Sequence, residues 1–253
     1  MMVHLHVHDV FLLALLSVSV KGQVAVWTQI PGPNNSSMHS VSANSQFLWG
    51  INSKNEAMYC LRPCKGNWIY STPNMRSLDA GPVYTWFIGL DNNTYHATVK
   101  KSSIAMNITE ATEIAAGGNG FIWYLDQYGY TWKWSIGLEY ADSSNDRKFI
   151  NIAANSEHVF GIDGEGTINY CAIVGGPWKT IPGHFISMTA GSQEIFAIDR
   201  NNRQLYRCTI PCAENWEAME SPSNDVVQLD ATIDALFAVS SKGAIYRHHL
   251  SLM

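Results

Sequence analysis

The chain has 253 residues, with 16 Lys and Arg against 21 Asp and Glu, a formal charge of −5 at neutral pH. That balance excludes nucleic-acid binding, which needs a basic face to neutralise phosphates. Charged residues make up only 15% against the roughly 25% of an average globular chain, while 9 Trp, 11 Tyr, 9 Phe and 19 Gly are present. The composition therefore supports a full apolar core and excludes long polar helices and intrinsic disorder.

Residues 1–22 read as a signal peptide. The run from Val10 to Val20 is too short to cross a bilayer and suits the apolar centre of a secretory leader, with Val20 and Gly22 as the small residues before cleavage. His4, His6 and His8 alternate as in a metal tract, but they fall inside this leader and are not taken as a site. The remaining chain, residues 23–253, is expected to be a single secreted domain. Sequons at Asn34, Asn35, Asn92 and Asn107 then become glycosylation candidates.

From Trp27 onward the sequence repeats. A short apolar run reaching Asn, Asp or Ser occurs at Phe47–Asn52, Trp86–Asp91, Phe121–Asp126, His158–Asp163, Glu194–Asp199 and Ala235–Ser240. The final residues of these runs lie 39, 35, 37, 36 and 41 positions apart. Turn residues follow, and six or seven positions later an aromatic on a second short strand: Tyr59, Trp132, Tyr170, Tyr206 and Tyr246. The second copy has a shortened hairpin at Asp91–Tyr95. Another apolar strand ending in Ala or Gly precedes each run, and a last strand opens with Trp27, Trp68, Trp178 or Trp216. Two copies lack a clean Trp there, and Trp134 and Tyr140 are the stand-ins.

Four short strands every 35 to 41 residues, repeated six times without helical periodicity, predict an all-β, six-bladed propeller of four antiparallel strands per blade. The chain starts with a Trp strand, so that strand is expected to complete the last blade and close the ring. Recurrence of the Trp residues marks them as packing between blades. Asp126, Asp163 and Asp199 stand where carboxylates cap tight turns.

Loop residues on a rigid scaffold are better binding candidates than framework residues. The turns between second and third strands, with Asn55, Gln127, Glu165 and Asn202, should share a face with the loops after each Trp strand, with His184 and Asn224. Amides and carboxylates there can take the paired hydroxyls of a hexose. No nucleophile elbow, zinc-protease helix or phosphate loop is present, so no enzyme activity, metal or cofactor is assigned. A carboxylate cluster of raised pKa in the central channel would argue for an enzyme instead.

Cys60 and Cys64, and likewise Cys208 and Cys212, occupy the same place in two copies at a separation that a tight turn can bridge, so each pair is expected to form a local disulfide. Cys171 is left over. It reads either as a buried thiol or as an interchain disulfide, and its place near the Gly175–Pro177 loop puts it within a partner's reach.

The Trp-x-x-Ile-Pro-Gly element at Trp27–Gly32 and Trp178–Gly183, the Gly-Ile-Asn or Gly-Ile-Asp step and the Ile-Tyr-Arg strand resemble the tectonin repeat of tachylectin and fish-egg lectins. The resemblance covers residues 23–253 and implies a secreted propeller that binds glycans on cell or microbial surfaces. With its odd cysteine, the pattern is also similar to the tachylectin-like chain of snail-egg perivitellin toxins. That likeness implies a targeting subunit bonded through Cys171 to a pore-forming chain of the membrane-attack-complex/perforin type. The alternatives are a free-standing immune or egg lectin, and an egg storage or defence protein without membrane activity. Several weak sites would make higher oligomers useful for avidity.

Overall fold

Each apolar run of the repeat is bracketed by turn-forming residues and is too short for a helix with a buried face, so the repeats form strands. The computed structural model describes residues 26–33, 36–98, 101–106, 108–118, 120–135, 141–212 and 215–250. The expected leader, the sequons at Asn34, Asn35 and Asn107, and Tyr140 lie outside the described residues. Within them, 24 strands and no helix occur.

After β1 (Trp27–Ile30), blade 1 holds β2 (Met38–Ala43), β3 (Phe47–Asn52), β4 (Ala57–Leu61) and β5 (Ile69–Thr72). Blade 2 holds β6 (Met75–Ala80), β7 (Thr85–Gly89), β8 (Thr94–Thr98) and β9 (Lys101–Ala105). Blade 3 is β10 (Ala111–Ala116), β11 (Phe121–Asp126), β12 (Tyr130–Ser135) and β13 (Ala141–Lys148). Blade 4 is β14 (Asn151–Ala154), β15 (His158–Ile162), β16 (Ile168–Ala172) and β17 (Lys179–Ile181). Blade 5 is β18 (Phe185–Ala190), β19 (Glu194–Asp199), β20 (Leu205–Thr209) and β21 (Glu217–Met219). Blade 6 combines β22 (Val226–Ala231), β23 (Ala235–Ser240) and β24 (Ile245–His249) with β1.

All pairings within blades are antiparallel and sequential, and β1 pairs with β24 from Trp27 opposite His248 to Ile30 opposite Ile245. The first strand of each blade packs on that of the next, and β22 packs on β2, so the six sheets form the closed ring expected from the repeat. The hydrophobic core is divided into six clusters, one between each neighbouring pair of blades.

The recurrent Trp residues join blades at the outer rim. Trp27 Nε1 donates to Glu220 O at 2.8 Å, Trp68 to Pro31 O at 2.9 Å and Trp216 to Pro182 O at 3.3 Å, in each case reaching the preceding blade. Trp178 instead packs against Phe149, with ring centroids 4.8 Å apart. Trp134 is not an outer-strand stand-in, because it lies on the third strand β12. It is buried against Trp86 of blade 2, centroids 5.7 Å apart.

Strand register corrects two alignments. Met75 of β6 faces Gly89, whereas Met38 of β2 faces Asn52, so Gly89 and not Asp91 is the second copy's equivalent of Asn52. Asp91 folds back over that glycine, and a Cβ there would collide with Asp91 Oδ1. The aromatics of the third strands also fall into two classes. Tyr59 and Tyr170 oppose Trp49 and Phe160 and pack toward the following blade. Trp132, Tyr206 and Tyr246 stand one residue earlier in register and pack toward the preceding blade. A one-residue offset reverses the face in a structure of period two.

If β1 closes the ring, Trp27→Ala should destabilise the protein by about 3 kcal/mol, the low end for truncating a Trp because this ring is only half-buried. Urea unfolding measures it; an unchanged midpoint would contradict the closure.

Candidate functional site

In an antiparallel blade the turns between second and third strands point the same way as the connections to the next blade. These form one face of the disc, here the turn face. In blades 3, 4 and 5 the turn is built by an Asp at or just past the end of the second strand. Asp126 Oδ1 accepts from Tyr128 N and Tyr130 N at 2.9 and 3.0 Å, Asp163 Oδ1 from Glu165 N and Thr167 N at 3.0 and 2.9 Å, and Asp199 Oδ1 from Asn201 N and Asn202 N at 2.8 and 3.0 Å. These carboxylates cap turns, as their positions suggested.

One residue in every such turn takes the left-handed conformation: Asn55, Asn92, Gly129, Gly166, Arg203 and Gly243. Asn and Gly adopt it at least cost. In blades 1, 3 and 4 its carbonyl also holds the next blade: Asn55 O accepts from Met75 N at 2.9 Å, Gly129 O from Phe149 N at 2.8 Å and Gly166 O from Phe185 N at 2.8 Å.

All six sequence candidates lie on this face, but they do not form one site. Asn55 has a framework role through its backbone, and its side chain bonds to His39. Gln127 is exposed, with Nε2 3.4 Å from Glu110 Oε2. Asn224 is exposed beside Asp225, whose carbonyl accepts from Ser241 N at 2.8 Å. Glu165, His184 and Asn202 are brought together across the junction of blades 4 and 5. Arg200 joins them, its amide donating to His184 O at 2.7 Å and its Nη1 to Gly164 O at 3.0 Å. Sequence reasoning missed Arg200, and also Tyr128, which is 64% exposed beside Gln127 and offers a ring face for stacking. Asn92 of the third sequon is exposed at a turn tip on the same face.

The central channel, a cavity of about 210 Å³ lined by the first strands, contains a carboxylate cluster of the kind that flags catalysis. The Ser42 hydroxyl lies 2.7 Å from Asp79 Oδ1 and 3.1 Å from Asp230 Oδ1. A hydroxyl has one hydrogen to give, so both contacts are satisfied only when a carboxyl also carries a proton. Burial accordingly raises Asp79 and Asp230 above the ordinary carboxylate range, against the hydrogen bonds they accept. Burial also pushes Glu113 up to about 8, with the Asp79 charge adding to the shift.

These acids have structural work. Asp230 Oδ2 accepts from Ala43 N at 2.7 Å, Asp79 Oδ2 from Ala116 N at 2.6 Å, and Glu113 bonds the amide of Ile152 and the side chain of Asn151. Each bond runs from one blade to the next. Ser42, Asn151 and Thr189 make the corresponding bonds to Ala80 N, Met188 N and Ala231 N at 2.9, 2.9 and 3.1 Å.

Both expected disulfides, Cys60–Cys64 and Cys208–Cys212, are formed. Cys171 is not presented to a partner. It is 3% exposed in the core between blades 3 and 4, and burial pushes its thiol up to about 11. An interchain disulfide through it would require that core to open. Among the described residues no group of His, Cys, Asp and Glu is placed to hold a metal ion, and no helix is long and apolar enough to cross a membrane.

No family profile and no curated protein matches the chain. Solved propellers match it in fold. The WD40 propeller domain of Doa1 is 8% identical with a TM-score of 0.61, over 90% of this chain and 98% of that one. YCF48 bound to D1 peptide is 13% identical at 0.59, over 92% and 98%. Virginiamycin B lyase from Staphylococcus aureus is 13% identical at 0.61, over 83% and 80%. Such identities carry the architecture and nothing finer.

The channel acids fix the direction of pH dependence. Their pKa values are higher folded than unfolded, so their contribution is complete below the unfolded values and is lost as pH rises toward the folded ones. Melting temperature should fall between pH 5 and pH 8, and Glu113→Gln should flatten the fall; an equally steep profile in the variant would assign it elsewhere. For Cys171, iodoacetamide at pH 7 should label the native protein slowly and the denatured protein at once. Rapid native labelling would contradict its burial.

Proposed function

We propose that this protein is a secreted, non-catalytic, carbohydrate-binding propeller that grips glycans through its turn face. The observation that carries the reading is the grouping of exposed Glu165, His184 and Asn202 around Arg200, between blades whose framework residues are otherwise occupied. Carboxylate, imidazole and amide together offer the donors and acceptors that vicinal hydroxyls require. Tyr128 and Gln127 on blade 3, the preceding blade, add a stacking surface and an amide. The whole-chain likeness to tectonin lectins supports the same reading.

Secretion is supported by the leader-like N-terminus and by two local disulfides, which persist in oxidising compartments. A non-catalytic role is supported by the bonding of the channel acids, whose oxygens hold neighbouring blades rather than point free into the cavity. A pore-forming partner chain would have to associate without a bond to Cys171, which favours the free-standing lectin over the disulfide-linked toxin subunit.

A glycan array with the purified protein tests the reading, with binding competed by free sugar as the expected result. The double variant Glu165→Ala/Asn202→Ala should weaken retention about tenfold, the equivalent of about 1.4 kcal/mol, with an unchanged melting temperature. An array without competable binding, or full retention by the variant, would overturn the proposal or its site.

A further inference from the structure

The opposite face of the disc, formed by the turns between first and second strands and the loops between third and fourth, carries a feature that the glycan reading has not used. A cavity of about 200 Å³ opens between blades 6 and 1, with Thr28, Gln29, Arg62, Phe237, Arg247 and His249 among its lining residues. Two guanidinium groups meet one carboxylate there, Asp234, in a protein of net charge −5.

The two arginines differ in what they have left to give. Arg62 is a fixed wall. Its side chain is 8% exposed, Nη1 donates to Asn44 O at 2.6 Å and Nη2 to both oxygens of Asp234 at 2.8 and 3.0 Å. Its guanidinium also lies 5.3 Å from the centre of the Phe237 ring. Arg247 is 23% exposed, only 3.6 Å from the same Asp234, and 3.4 Å from His249 Nε2. Its Nε is buried with no hydrogen-bond partner among the described residues. One carboxylate, already held by Arg62, thus leaves Arg247 under-neutralised.

The repeat supplies an internal comparison. Arg207 in blade 5 occupies the same register, opposite Phe196 as Arg247 is opposite Phe237. Its cross-strand neighbour is Glu217, 2.9 Å away, and Glu194 lies at 3.7 Å. In blade 6 these two positions hold Thr28, paired with Arg247, and Ala235. The same cation is satisfied by two carboxylates in one blade and by a shared one in the next, where a hydroxyl replaces the acid.

We infer that the cleft between blades 6 and 1 receives a carboxylate-bearing sugar, with Arg247 binding the carboxylate and Thr28, which faces the cleft from the paired strand, bonding a ring hydroxyl. The inference rests on the glycan-binding reading and adds a ligand class and a second face to it. A guanidinium matches a carboxylate in charge and planarity. The volume is below the about 300–1,000 Å³ of sites for drug-sized ligands, and so suits one terminal sugar rather than a chain. Partial exposure makes the contact sensitive to salt.

The test compares the full-length secreted protein on four immobilised probes: a sialic-acid-terminated oligosaccharide, its methyl ester, the neutral parent and a sulfated analogue. The sialylated probe should be retained at least tenfold more tightly than the ester, and the preference should shrink in high salt. Arg247→Gln and Thr28→Glu, the latter copying blade 5, should each abolish the preference without lowering the melting temperature, while Arg207→Gln should leave it intact. Equal retention of acid and ester, or a preference that survives both cleft variants, would overturn the inference. Retention of the sulfated probe alone would overturn the carboxylate assignment. Binding of neutral sugar without acid preference would sink this inference and leave the lectin reading standing; no retention of any probe would sink both.

Discussion

The first strands of six blades meet around the channel without hydrogen-bonding to one another as a sheet, so each junction leaves main-chain amides that need an acceptor. The structure solves this six times with a side chain from the preceding blade. Asp230, Ser42, Asp79 and Thr189 use the fifth position of their strands, while Glu113 and Asn151, which opens the shorter β14, stand two residues earlier in register. Gln228 adds a second clamp at the junction of blades 6 and 1, where chain ends meet and closure depends on β1. A buried amide without a partner costs about 1–3 kcal/mol, so this ring of acceptors holds the disc at its axis as the Trp residues hold it at its rim. It also explains the raised carboxyl pKa values without invoking catalysis, because these acids are kept in the channel by the bonds they accept.

A ring fixed at axis and rim leaves its two faces free for binding. On the turn face, cap residues and left-handed positions consume some polar groups, and the residues between them project into solvent. That division separates Asn55, which is framework, from Glu165 and Asn202, which are exposed on adjacent turns. On the opposite face the blades are less evenly matched, and the cleft beside Arg247 exists because blade 6 borrows its fourth strand from the start of the chain. Thr28 of that strand stands where blade 5 has Glu217.

The fold was legible because its determinants are local and repeated: apolar runs, turn acids and Trp strands recur at near-constant spacing, and ring closure follows from their phase. Register was less legible. Asp91 imitates the turn acid two residues late, and only cross-strand pairing reveals Gly89 in its place. Tyr59 and Tyr206 look equivalent by distance from the turn, yet they face opposite blades because one hairpin is a residue longer. The inter-blade acceptors were invisible because five residue types at two register positions share one task. Spacing found the two disulfides, whereas the surroundings of Cys171 come from both neighbouring blades and could not be read locally. The pairing of Arg62 with Asp234 spans 172 residues of sequence, so the excess charge at Arg247 emerges only in three dimensions.

Native-state hydrogen exchange, with and without the glycan the protein retains best, tests most directly the claim that a rigid closed ring carries separate binding faces. The amides of Ala43, Ala80, Ala116, Ile152, Met188 and Ala231 should exchange together, only through global unfolding. Bound glycan should slow exchange selectively in the loops around Glu165, His184 and Asn202. Early exchange at any one of those six junctions, or glycan protection spread over the framework with the loops unchanged, would contradict the account.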